Sequence, residues 1–161
     1  MSVNKHLPHV YVLPEDGANR QLARGFQLDV DGAKQRQMQV LEEAGGWIAV
    51  LEHFLADHVA RMASNAQRFM VLLIDFDNKQ ERLQEVKSQI PGHLTDRVFV
   101  LGTSSEPEAL KTAGLGTYET IGKAMAEDCR QETSTIWGHE LLRHNAGELA
   151  RLRHQVRPIL F

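Results

Sequence analysis

The sequence predicts an α/β protein in which helices cover both faces of a mainly parallel sheet. Short apolar segments alternate with segments of helical periodicity along the chain, and the connections between them are short. The clearest strand, at 70–74, has five consecutive apolar side chains, which is typical of a central strand buried on both faces. The clearest helix, at 47–62, gathers its apolar residues on one side.

The composition predicts one soluble domain. The 161 residues contain no repeat and no low-complexity segment, so we expect a single domain over 1–161. Its core is predicted at about 9–102, with a helical C-terminal elaboration at about 103–161. The single cysteine, Cys129, excludes an internal disulfide and fits a reducing compartment. No apolar segment resembles a signal peptide or a membrane span, so we expect a cytoplasmic protein without a membrane partner.

The net charge of −3 disfavours a stand-alone nucleic-acid-binding module, because such proteins rely on a basic surplus to neutralise phosphates. If nucleic acid is the substrate, then a metal site, a local basic patch or a partner protein must supply the attraction.

Four strands are predicted from apolar or alternating segments, at 9–13, 36–41, 70–74 and 97–102. Pro14 ends the first strand, and an acidic turn follows it. The second strand only partly alternates between polar and apolar residues, which favours a position near the edge of the sheet.

Six helices are predicted from apolar spacing, at 20–26, 47–62, 80–89, 105–111, 118–130 and 141–156. Three of them are predicted to contain capping boxes, in which Asn or Ser precedes Glu by three residues: Asn78 with Glu81 and Ser105 with Glu108 near the helix start, and Asn145 with Glu148 as a second cap within the last helix. Pro158 is predicted to end the last helix. The apolar tail at 159–161 either packs on the core or serves as an edge for a partner.

Three acids follow predicted strands, Glu15 after the first and Asp75 and Asp77 after the third. Ligands of open α/β sheets bind beyond the carboxyl ends of the strands, so neighbouring strands would bring these carboxylates together. Clustered carboxylates raise one another's pKa and are stabilised by a divalent cation, and oxygen ligands favour Mg²⁺ or Mn²⁺ over zinc. The histidines and the cysteine have no zinc-ligand spacing.

A strand that ends in Glu, followed by a β-α-β-α run and a strand that ends in Asp-x-Asp, resembles the Toprim domain. That domain occurs in primases, topoisomerases, overcoming-lysogenisation-defect nucleases and small bacterial proteins of unassigned activity, which this chain resembles most. The resemblance covers roughly 9–102. It implies a Rossmann-like three-layer sandwich with a four-stranded, mainly parallel sheet, and a Mg²⁺-dependent phosphoryl-transfer site. The family's glutamate falls on Glu15 and its aspartates on Asp75 and Asp77, as metal ligands and catalytic residues.

The chain departs from this pattern beside the glutamate. Nuclease-like members often have Gly directly after the Glu and a second acid four residues after it, whereas this chain has Asp16 and Asn19. Because Asn19 adds no negative charge, the sequence leaves open whether the site binds one metal ion or two. It also leaves open whether Glu15 or Asp16 is the first acid. Glu15 is favoured by its place at the strand end.

Other side chains have both a functional and an ordinary interpretation. Phosphate contacts are possible for Lys79, Arg20 and Arg24, and a further carboxylate from Glu106 or Glu108, although surface or capping roles explain each of them. Haloacid-dehalogenase phosphatases also end a strand in Asp-x-Asp, but there the strand opens the domain and a hydroxyl residue follows. Here the strand is the third, and Asn78 and Lys79 follow it.

Two functions from different classes remain. The leading hypothesis is a nuclease-like protein that uses Mg²⁺ or Mn²⁺ for phosphodiester chemistry on nucleic acid. The alternative is a non-catalytic interaction or regulatory module that binds a partner protein, such as an ATPase, through the C-terminal helices and tail.

Overall fold

A four-stranded sheet organises the computed structural model, which describes residues 2–161. The strands are β1 His9–Pro14, β2 Met38–Val40, β3 Arg68–Leu73 and β4 Val98–Leu101. All neighbouring strands are parallel, in the order β2-β1-β3-β4. This confirms the predicted α/β class, the parallel sheet and the edge position of the second strand.

The helices lie between and after the strands. They are α1 Gly17–Leu28, α2 Trp47–His53, α3 Val59–Ser64, α4 Arg82–Ser88, α5 Glu108–Thr112, α6 Tyr118–Gln131 and α7 Ala146–Leu160. The helix predicted at 47–62 comprises α2 and α3, joined by a π-helical turn at Phe54–His58. Short 3₁₀ segments occupy Gly32–Gln37, Gly92–Arg97 and Arg143–Asn145. No helix within residues 2–161 combines the length and apolar character that a membrane span requires.

The two faces of the sheet form two separate hydrophobic clusters, as expected when alternate strand residues point to opposite faces. Val10, Val12 and Val71 lie in the cluster with α1, α6 and α7. Their neighbours Tyr11 and Met70 lie in the cluster with α2, α3 and α4. The result is a three-layer sandwich whose central strands β1 and β3 are covered on both sides.

Two glycines bring α1 and α6 into backbone contact. A Cβ atom at Gly25 would lie 2.3 Å from the carbonyl oxygen of Glu119, and one at Gly122 would lie 2.1 Å from that of Leu22. Neither position tolerates a side chain unless the helices separate. The close approach fixes the direction of α1, whose first turn carries Asn19 to the end of the sheet.

The three predicted capping boxes are wrong. Asn78 has a positive φ of 59° and lies in a turn, and α4 begins only at Arg82. The helix α5 begins at Glu108 without a side-chain cap, and the Ser105 hydroxyl makes no hydrogen bond with residues 2–161. Asn145 does precede α7, but its side chain bonds the β4 edge instead of capping the helix. Strand-edge contacts outcompete local capping at Asn145.

The prediction that Pro158 ends the last helix is also wrong, because α7 continues to Leu160. The missing N–H of a proline removes one helical hydrogen bond. Burial of Leu160, which is 1% exposed, offsets that loss. The Phe161 ring packs against Phe26 and under the Arg130 guanidinium, so the apolar tail is part of the core surface.

Candidate functional site

The candidate site lies at the carboxyl ends of β1 and β3. The chain passes from β1 to the edge strand β2, and then returns to place β3 on the other side of β1. The strand order therefore reverses between β1 and β3, which makes this a topological switch point, the usual ligand position in open α/β sheets. Glu15 follows β1, and Asp75 and Asp77 follow β3, so the fold brings all three predicted residues to one edge.

Asp75 is the most buried acid of the site, with 7% of its surface exposed. Its Oδ1 accepts a hydrogen bond of 2.7 Å from the Asn19 side chain. Burial raises the pKa of Asp75, the hydrogen bond from Asn19 lowers it, and the negative charges of Glu15, Asp16 and Asp77 raise it. Together these effects bring the pKa of Asp75 to about 7. Asp75 therefore exchanges a proton near neutral pH.

The side chain of Glu15 is hydrogen-bonded to the backbone that follows β3. Its Oε2 accepts a hydrogen bond of 2.6 Å from the N–H of Asp75. Burial raises the pKa of Glu15, the hydrogen bond from Asp75 lowers it, and the charges of Asp16 and Asp77 raise it. The carbonyl of Glu15 accepts from the N–H of Gly45, which lies in a turn with positive φ before α2. The position of Glu15 is thereby fixed from both sides.

Asp16 has a clear structural role, which distinguishes it from Glu15. Its extended backbone precedes α1, and its Oδ1 accepts a hydrogen bond of 2.9 Å from the N–H of Asn19. This is the geometry of a helix N-cap. The same oxygen accepts from the Asn19 side chain at 3.0 Å. Asp16 therefore positions Asn19 and contributes negative charge to the site.

Asn19 bridges two carboxylates of the site. It is fully buried, and its Nδ2 donates to both Asp16 and Asp75. Its Oδ1 has no hydrogen-bond partner within residues 2–161. The amide thus stabilises the two acids without adding charge, and it keeps one free acceptor beside them.

Asp77 lies in a tight left-handed turn and pairs with an arginine. Asp77 and Asn78 have φ values of 49° and 59°, and their N–H groups donate to the carbonyls of Ser105 and Ser104 after β4. The Oδ2 of Asp77 accepts a hydrogen bond of 2.6 Å from Arg82. This ion pair neutralises Asp77, whose side chain remains 49% exposed.

Arg82 connects several parts of the site, although no sequence pattern predicted a role for it. Its Nη1 also donates to the carbonyl of Asp75 at 2.8 Å. Its guanidinium lies over the Trp47 ring, 4.6 Å from the centroid. A buried arginine therefore joins α2, α4 and the end of β3. Arg82 is one of several basic residues in predicted helices, and its sequence context does not distinguish it.

The remaining candidates lie at the rim or elsewhere. Glu106 and Glu108 line a surface groove with Asp77, and their charges help to raise the pKa of Tyr118, after the larger effect of burial. Arg20 pairs with Glu43 at 3.0 Å. Lys79 lines a second groove, on the other side of Asn78.

The donor chemistry of the site fits a hard divalent cation, because carboxylate and amide oxygens surround a carboxyl group that titrates near pH 7. The described arrangement is nevertheless incomplete. Within residues 2–161, no three His, Cys, Asp or Glu side chains are already arranged as a metal-ligand set. Asp77 would have to exchange Arg82 for the cation, which its exposed side chain permits.

Comparison of the chain with protein-family models, curated proteins and solved structures found no match.

Proposed function

We propose that this protein binds Mg²⁺ or Mn²⁺ through Glu15, Asp75 and Asp77 and catalyses metal-dependent phosphodiester hydrolysis in nucleic acid. The observation that carries the proposal is the carboxylate cluster at the switch point, in which burial, followed by the neighbouring negative charges, raises the pKa of Asp75 to about 7. The resemblance of 9–102 to the Toprim domain supports the same site. We also propose a cytoplasmic location, in keeping with the free buried Cys129.

Each residue has a separate role in this proposal. Asp75 and Glu15 would hold the cation together with Asp77, which would exchange Arg82 for it, and Asp75 would release its proton when the cation binds. Asn19 would orient Asp75 through its amide, while Asp16 holds Asn19 in place. A bound cation supplies Lewis-acid stabilisation of the phosphate charge and a more acidic bound water.

The first test is cleavage of single- and double-stranded DNA and RNA with Mg²⁺ or Mn²⁺. Asp75→Asn should lower the rate by about a hundredfold or more, because the variant loses the buried charge that holds the cation. Glu15→Gln should give a similar loss. Asp96→Asn is the matched control, since Asp96 is exposed at the opposite end of the strands. Equal rates for Asp75→Asn and wild type would refute the enzymatic proposal.

The alternative function is a non-catalytic module that binds a partner protein, for example an ATPase. The Asp77–Arg82 ion pair favours it, because this pair already satisfies one of the three predicted ligands. Calorimetry distinguishes the two functions. Heat of Mg²⁺ or Mn²⁺ binding that disappears in Asp75→Asn supports the metal site, and absence of such heat in the wild type supports the module.

A further inference from the structure

A basic groove lies next to the acidic site. Its polar lining includes Lys79, Gln80, Ser104, Arg143 and His144, Phe76 and Leu83 add an apolar wall, and its volume is about 640 Å³. Lys79 comes from the turn after β3, whereas Arg143 and His144 come from the C-terminal elaboration. The groove is therefore assembled from two parts of the chain that are far apart in sequence.

The two cations of this groove have no partner in the described protein. Within residues 2–161, the side chains of Lys79 and Arg143 make neither an ion pair nor a hydrogen bond, and both residues are exposed. By contrast, Arg82, Arg130 and Arg151 are each bound to a carboxylate. Glu140 also lines the groove but forms no ion pair with either cation among residues 2–161. Two free cations and polar side chains in a concave surface fit an anion, and phosphate oxygens are the usual partners of such groups.

The position of the groove connects it with the carboxylates. Asn78 lines both this groove and the acidic one that contains Asp77. The turn between them is held by hydrogen bonds from Asp77 and Asn78 to Ser105 and Ser104, so the two grooves have a fixed relation. His144 packs edge-on against Phe76, which joins the Arg143 segment to the same turn. A ligand in the basic groove would therefore lie beside the proposed metal site.

We infer that this groove binds the phosphodiester backbone of a nucleic-acid strand, through Lys79 and Arg143, next to the phosphate at the proposed metal site. The inference rests on the proposed function for the identity of the ligand. A strand carries phosphates at regular intervals, so one phosphate can lie at the cation while a neighbouring one contacts the basic groove. The groove thus supplies a local basic patch in a chain whose net charge is −3.

The experiment is fluorescence anisotropy with a labelled single-stranded DNA in EDTA, where the proposed hydrolysis cannot occur, using the full chain. We expect Lys79→Gln/Arg143→Gln to weaken binding about tenfold or more. The slope of log affinity against log salt should fall by about 1.4, because two phosphate contacts are lost. The matched control, Lys5→Gln/Arg36→Gln, removes the same charge at the amino ends of β1 and β2 and should retain nearly wild-type affinity.

The outcomes separate this inference from the proposed function. Equal losses in the two double variants would overturn the groove as a site, because only net charge would then matter. A mononucleotide that competes as well as the strand would overturn the strand as its ligand. Mg²⁺ binding lost only in Asp75→Asn, together with unchanged affinity of Lys79→Gln/Arg143→Gln for DNA, would leave the metal site intact and reject the groove. Groove-dependent DNA binding without metal binding would support the groove and reject the enzyme.

Discussion

Burial of Asp75 beside Glu15, Asp16 and Asp77 has an energetic cost that depends on pH. The pKa of Asp75 is raised from its ordinary value of 3.8 to about 7, mainly by burial and further by the neighbouring negative charges. At pH values between these two, the folded protein holds a proton that the unfolded chain has released. The stabilising contribution of this proton is complete below the unfolded pKa and is lost as the pH rises through the folded one.

We therefore predict that Asp75→Asn stabilises the protein at alkaline pH in the absence of divalent cations. The amide Oδ1 can still accept the hydrogen bond from Asn19, but it carries no charge. Relative to wild type, the free energy of unfolding at pH 8 should rise by about 2–4 kcal/mol, and the gain should shrink towards pH 4. Urea denaturation in EDTA at several pH values measures this, with Asp96→Asn as control. A gain that does not change with pH would contradict the prediction.

Some positions in the site can be predicted from the sequence, and others cannot. Glu15 and Asp75 directly follow apolar runs, so the parallel sheet necessarily places them at its carboxyl edge. The pairing of Asp77 with Arg82 depends on the left-handed turn at 77–78, which two non-glycine residues adopt because carbonyls after β4 bind their N–H groups. That constraint comes from tertiary contacts and leaves no local pattern.

At the level of elements, α7 completes the sheet on the open side of β4. Three side chains, spaced three residues apart, form hydrogen bonds with backbone N–H and carbonyl groups along the open edge of β4. Asn145 bonds the N–H and carbonyl of Gly102, Glu148 accepts from the N–H of Val100, and Arg151 donates to the carbonyl of Val98. The helix runs antiparallel to the strand, and its side chains satisfy the backbone groups of the edge, to which a further strand could otherwise bind.

This contact predicts that Asn145→Ala destabilises the protein by about 2–3 kcal/mol. The substitution leaves the buried N–H of Gly102 without a partner and removes one donor from its carbonyl, and unsatisfied buried groups of this kind are costly. Urea denaturation should resolve the loss. Gln155→Ala, at an exposed position of the same helix without a side-chain hydrogen bond, should change stability by less than about 0.5 kcal/mol. Similar effects of the two substitutions would mean that the edge contact contributes little.

The contacts of α7 with β4 also explain why the predicted Asn145–Glu148 capping box was wrong. Asn and Glu three residues apart in an amphipathic helix are typical of a cap, and the sequence does not indicate that β4 lies beside this helix. Glu148 is only 4% exposed, and besides Val100 it binds Lys87 and Arg151. A carboxylate with three donors in the core is better satisfied than one that caps a solvent-exposed helix end.

In the whole molecule, the two edges of the parallel sheet differ in their buried charged side chains. The carboxyl edge holds Glu15, Asp75 and Asp77, while the amino edge holds buried Arg68, which donates to His9 and lies over the Tyr11 ring. No carboxylate within residues 2–161 pairs with Arg68. The alternation of apolar runs and helices was sufficient to predict this parallel arrangement, because each crossover returns the chain to the same edge. The amino-edge arginine was not predicted, since a basic residue before a strand has no distinguishing pattern.

Glu15 and Asp75 form no ion pair with a basic side chain among residues 2–161, which predicts that Mg²⁺ stabilises the folded protein specifically. A ligand that binds only the folded state adds about 1.4 kcal/mol at ten times its dissociation constant, which corresponds to a rise of about 3–5 °C in Tm for a chain of this size. For the wild type, the Tm in MgCl₂ should therefore be higher than the Tm in NaCl of the same ionic strength. For Asp75→Asn, the Tm should be the same in the two salts.

Because NaCl screens the dispersed surface charges as well, an equal rise in the Tm of the wild type in both salts would assign the effect to screening. A Mg²⁺ effect retained in Asp75→Asn would place the cation away from the β1–β3 switch point. A Mg²⁺ effect lost in Asp75→Asn but retained in Lys79→Gln/Arg143→Gln would separate the cation site from the basic groove, as the opposite charges of the two surfaces require.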